Sequence, residues 1–180
     1  APMSIVENIL TDEPSGRLYK ALVETQKASS VWSYIPFTKE PGFIYINAEV
    51  PSDKDADEVE AILKQTLEDL KTNPITQEEV DRDKAKLAKE ADQIMRNSSY
   101  LGLYMSEFIG AGDWRLAFIF RDRIEQATLE QVNNAASAYL IPSNRTIGRF
   151  YPTKEPLRVS IPHTEGLEDL VSSYEGKEDM

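Results

Sequence analysis

Apolar positions near the start of the chain recur with a helical period. Met3, Ile5, Val6, Ile9 and Leu10 fall at i, i+3, i+4 spacing and predict a short helix over 3–10. Asp12, Pro14, Ser15 and Gly16 make a turn cluster, and Leu18, Leu22 and Val23 line one face of a second helix. The composition then becomes strand-like over 29–37 (Val31, Trp32, Tyr34, Ile35) and 42–50 (Phe43, Ile44, Tyr45, Ile46). Lys39-Glu40-Pro41-Gly42 between them predicts a hairpin. The second strand is apolar on both faces, which places it near the centre of a sheet.

From residue 53 the period is helical again. Val59, Ile62, Leu63, Thr66, Leu67 and Leu70 form one broad stripe that Asn73-Pro74 ends. Thr76 with Glu79 is a capping-box pattern opening a long helix to about Arg96. Its apolar face (Val80, Leu87, Ala91, Ile94, Met95) is thin, so it lies on the outside. After a break at 97–99, Tyr100 to Ile109 resume a helix that Gly110 and Gly112 close. Asp113 caps a helix from Trp114 to about Glu125, and Thr128 with Gln131 opens another to Leu140. Residues 144–151 read as a closing strand. Beyond it Pro152, Pro156, Pro162, Gly166 and Gly176 mark an extended tail with a helical turn around Leu167 to Val171. The expectation is an α+β domain over 1–153, an antiparallel-rich sheet with helices packed on one face, followed by a linker over 154–180. A three-stranded sheet is thin for so many helices, which predicts one or more strands before Ala1.

At 180 residues and 41% apolar content the chain has enough material for one ordinary core. No apolar run is long enough to cross a membrane, and the first residues lack the pattern of a secretion signal. The net charge of -11 weighs against nucleic acid and anionic membrane surfaces as partners. With no Cys, disulfides, thiolate catalysis and Cys-type zinc sites are excluded; with one His, so is any site needing two imidazoles.

The remaining chemistry is sparse. His163 lies in the proline-rich tail and reads as a solvated side chain. Glu78 with Asp81, and Asp55 with Glu58, share helix faces whose apolar residues point elsewhere, so they read as solvated rather than as an acid–base pair. Asp53, Asp55 and Asp57 supply half of a calcium loop without its turn Gly or distal Glu; an acidic helix start explains them better. Gly110-Ala111-Gly112 is a helix break, not a phosphate loop. Arg121, Asp122 and Arg123 stand out in an otherwise apolar helix, and an ion pair is weighed there against an interdomain contact.

An ordered series of segments adds what composition does not. Ser15-Gly16-Arg17-Leu18-Tyr19, Pro74-Ile75-Thr76-Gln77-Glu78-Glu79, Ser106-Glu107-Phe108, Gly112-Asp113-Trp114-Arg115-Leu116, Arg121-Asp122-Arg123-Ile124, Ala138-Tyr139-Leu140 and Ser143-Asn144-Arg145-Thr146-Ile147-Gly148 closely resemble bacterial zinc peptidases of the insulinase/pitrilysin (inverzincin) family. The resemblance covers most of 1–153 and implies a LuxS/mitochondrial-processing-peptidase-like metallohydrolase unit. In that family an H-x-x-E-H motif plus a downstream Glu holds zinc in the first unit. This chain is similar to the second, non-catalytic unit, and none of its residues matches the zinc motif. The resemblance therefore implies no catalytic or metal residue and no activity for this chain alone, with zinc in the catalytic unit of the parent. The implied function is that of a non-catalytic domain of a zinc metalloendopeptidase, forming part of a substrate chamber wall. The implied partners are that catalytic domain, in the same or a partner chain, and a peptide substrate. Arg121, Asp122, Arg123 and Arg145 are the expected interdomain or substrate contacts. Family resemblance favours a periplasmic location. An inactive, peptidase-like partner subunit acting in assembly or peptide binding is the alternative, and a truncated sheet edge would promote self-association.

Overall fold

The computed structural model describes residues 1–163 and 165–176; residue 164 and residues 177–180 of the expected linker lie outside the described residues. Contacts divide the chain into Ala1–Arg145 and Thr146–Met180. In the first part, α1 (Pro2–Thr11) leads to a π-helical turn (Tyr19–Val23), then β1 (Ser30–Tyr34) and β2 (Tyr45–Glu49). There follow α2 (Ala56–Glu68), a 3-10 turn (Asp69–Lys71), α3 (Gln77–Met95), α4 (Ser98–Gly110), α5 (Leu116–Gln126) and α6 (Leu129–Tyr139). In the second part α7 (Leu167–Ser172) supplies the expected helical turn.

The first helix is the centre of the core rather than a peripheral one. Ile5, Val6, Ile9 and Leu10 are all buried, because neighbouring pairs one turn apart cover more than a narrow stripe. α1 packs against α6, α3 and β1 at once. Leu18, Leu22, Val31, Val59, Leu70, Val80 and Val132 complete the same cluster. Thr11, at the end of α1, donates to the Glu7 carbonyl (3.1 Å) and shares a 2.5 Å hydrogen bond with Ser33 of β1, which ties helix to sheet.

β1 and β2 are antiparallel, with Val31 opposite Ala48, Trp32 opposite Asn47 and Tyr34 opposite Tyr45. The fold is α+β, helix-rich, with a small antiparallel sheet. Two expectations are corrected. Among the described residues β2 pairs with β1 alone and is therefore an edge strand there rather than a central one. Residues 144–151 form no strand: Pro142–Asn144 is a 3-10 turn, and the extended chain after it has no ladder partner among the described residues, without which β-propensity alone makes no strand.

Local signals hold where the structure is local. Thr76 and Glu79 form a reciprocal capping box at the start of α3, as do Thr128 and Gln131 at α6. Asp55 caps α2 by accepting the Asp57 N–H at 2.8 Å, so the acidic run is a helix start.

Candidate functional site

The sheet has one face on the core and one face open. Its alternation places Val31 inward and leaves Trp32, Tyr34 and Tyr45 exposed by 45%, 52% and 47%. Trp32 and Tyr45 lie with ring centroids 5.3 Å apart, making a continuous aromatic surface across both strands. Phe43, in the connection between the strands, is also exposed. Such a surface offers π-faces and phenolic hydroxyls to an extended chain, with Ser30 and Glu49 paired at the end of the same face.

A second polar constellation lies at the joint between α2 and α3. Arg17 donates from Nε to Glu79 Oε1 (2.8 Å) and from Nη2 to Oε2 (2.7 Å), a bidentate pair in which both side chains are only 16% exposed. The same guanidinium donates to the carbonyls of Asn73 (2.6 Å) and Pro74 (2.9 Å). Burial works to raise the Glu79 carboxyl, yet the Arg17 hydrogen bonds and the Thr76 N–H outweigh it and hold it at about 2. A depression of about 360 Å³ opens here, lined by Arg17, Lys20, Asn73 and Thr76 among others. Every guanidinium nitrogen is already engaged, so this Arg braces a helix joint and presents no free fork to a ligand. From the other side, Asn133 of α6 accepts the Ile75 N–H (2.9 Å) and donates to the Ile75 carbonyl (3.0 Å).

The residues expected to make interdomain or substrate contacts are not gathered into one site. Arg121 pairs with its neighbour Asp122 (2.8 Å), lies 5.5 Å from the Phe118 ring centroid and remains exposed, as does Arg123. Arg145 lies beyond α6 and donates to Glu68 at the end of α2 (3.2 Å). His163 is exposed, Glu58 pairs with Lys27, and Asp81 accepts from Gln77 at 2.7 Å.

Sequence reasoning missed Asp83. It occupies the buried stripe of α3 between Val80 and Leu87 and is 5% exposed, with Oδ2 unpartnered among the described residues. The signal was its spacing, three residues after one apolar position and four before the next.

The comparisons with known proteins bear on this geometry. The family description "Peptidase M16 inactive domain" matches residues 1–87. The crystal structure of a candidate zinc protease from Bordetella pertussis Tohama I is 40% identical over 84% of this chain and 84% of that chain, with a TM-score of 0.75. The chain belongs to the peptidase M16 family. The inactive peptidase domain of a candidate zinc protease from Bordetella parapertussis is 41% identical over 87% of this chain and 85% of that chain, with a TM-score of 0.77. A protease from Helicobacter pylori shares the fold at a TM-score of 0.72 and 17% identity, over 79% of this chain and 35% of that chain. No curated protein matches significantly.

As an M16 inactive domain, the chain has side chains that do not fit a zinc ion. Among the described residues no three of His, Cys, Asp and Glu stand together as metal ligands. The only His is exposed, and the most buried acid, Asp83, faces an amide and an ion pair rather than other free ligands.

Proposed function

We propose that this domain serves a zinc metallopeptidase as the non-catalytic wall of its substrate chamber, the zinc and the nucleophile being supplied by a catalytic domain of the same or a partner chain. The observation that carries the reading is the open sheet face. Trp32, Tyr34 and Tyr45 stay about half exposed although the opposite face of the same strands, through Val31, Ile46 and Ala48, packs on the core. Leaving that much aromatic surface in water forgoes burial that a partner or substrate covering it would recover. An extended peptide fits such a face because stacking on rings is tolerant of sequence, while an unpaired strand edge offers backbone hydrogen bonds. Enclosure by a wall of this kind would exclude water around a metal-activated nucleophile on the facing domain.

The test uses Trp32 as a reporter. Trp114 is the only other Trp, so Trp114→Phe leaves Trp32 as the single tryptophan, which excitation near the red edge of indole absorption selects over tyrosine. Titration with a reduced, alkylated polypeptide should give a saturable shift of its emission, with affinity in the range of about 10 μM to 1 mM expected of a weak contact surface. Tyr45→Ala should weaken the binding several-fold. An emission spectrum unchanged up to millimolar polypeptide would contradict the wall reading.

A further inference from the structure

Asp83 is a buried acid that nothing in the domain's proposed role uses. It sits where the long outer helix α3 crosses the central helix α1, on the same stripe as Val80. A carboxylate in such a position normally has a cation of its own. Here the nearest cation is shared. Lys86 makes an ion pair with Asp12, immediately after α1, and lies 3.6 Å from Glu90. The charged and polar groups acting on Asp83 are Asn8 and Asp12 from the α1 side and Lys86 and Glu90 from α3 itself. α4, α5 and α6 also pack on α3, and the groups acting on Asp83 among the described residues come from none of them. One amide and a divided lysine therefore face two acids and a dry surrounding, and Oδ2 is left without a partner.

We propose that Asp83 makes the packing of α1 on α3 conditional on a proton, the joint being tight with the carboxyl neutral and looser once it ionises. Burial is the largest influence and raises the carboxyl; the Asn8 hydrogen bond and Lys86 oppose it, Asp12 and Glu90 reinforce it, and the group is pushed up to about 7 from an ordinary 3.8. The sign follows from which state holds the proton. Unfolded chains ionise Asp83 at its ordinary value while the folded chain keeps it protonated up to about 7. The stabilisation is therefore complete below about 3.8 and is lost progressively until about 7, above which the folded state carries the charge as well.

The test compares urea unfolding of the whole chain with that of Asp83→Asn between pH 5 and 8.5. The ratio of their unfolding constants should climb by about tenfold per pH unit up to about 7 and then level off, because the two states differ by one bound proton in that window. Hydrogen-exchange protection of α1 and α3 amides should fall as the pH rises toward about 7 and level off above it in the wild type, and should not do so in the variant. Should Asp83→Asn fail to fold, Asp12→Asn serves instead: it frees Lys86 for Asp83 and removes a repelling charge, so levelling should begin at lower pH. A ratio flat with pH, an Asp83 carboxyl titrating near 4 by carbon NMR, or levelling unmoved in Asp12→Asn would overturn the proposal.

Discussion

Arg17 and Glu79 show how much one side-chain pair can do at a helix joint. Glu79 closes the capping box of α3 and at the same time receives the bidentate Arg17, whose remaining donors hold the carbonyls just before that helix. Arg17→Met leaves those carbonyls and the Glu79 carboxylate without their donor, and the expected loss is about 2 kcal/mol at pH 7. The pH dependence has a definite sign. Glu79 is held at about 2 in the folded chain against 4.5 ordinarily, so its contribution is present above about 4.5 and disappears as the pH falls through about 2. Urea midpoints should therefore separate wild type from Arg17→Met clearly at neutral pH and converge toward pH 2. Equal separation at both ends would mean that the brace acts by packing alone.

At the scale of elements, two glycines make opposite predictions. A Cβ on Gly16 would sit 2.7 Å from the Asp12 backbone nitrogen and oxygen and 2.8 Å from the Leu10 carbonyl, so the turn closing α1 has no room for Ala. A Cβ on Gly102, inside α4, would meet nothing within 4 Å. Gly16→Ala should lower stability by about 2 kcal/mol or more, since only backbone could move aside. Gly102→Ala should raise it by about 1 kcal/mol through helix propensity. Thermal melts of the two variants read both signs directly. The same contrast explains what could be read from the sequence. Both capping boxes, the acidic start of α2 and most helix bounds are set by residues a few positions apart and were legible as patterns. The centrality of α1, the solitary pairing of β2 and the absence of a strand at 144–151 depend on partners far along the chain, which periodicity does not contain. Asp83 was hidden for a related reason: a polar residue on a thin apolar stripe shows itself as buried only once α1 is seen lying over it.

For the whole molecule, the segment resemblance located the family, while the expected contact residues came apart in space. Arg121 pairs with Asp122, and Arg145 donates from Nη1 to Glu68 while its buried Nη2 has no partner among the described residues. The open aromatic face was visible only as strand composition, because which residues face outward depends on register. A β2 edge without a ladder partner among the described residues should let copies of the chain associate weakly, opposed by a net charge of -11. Light scattering should show mass rising with concentration, and more steeply at higher salt as repulsion is screened. A monomer at every concentration and salt level would remove the edge from the account.

Metal content together with peptidase activity tests the proposal that this M16 domain contributes surface while another domain supplies the zinc and the nucleophile. The purified chain should carry well under one zinc per molecule after dialysis and cleave no unfolded polypeptide, with or without added zinc. One tightly held zinc per chain, with cleavage abolished by a chelator and restored by zinc, would contradict it.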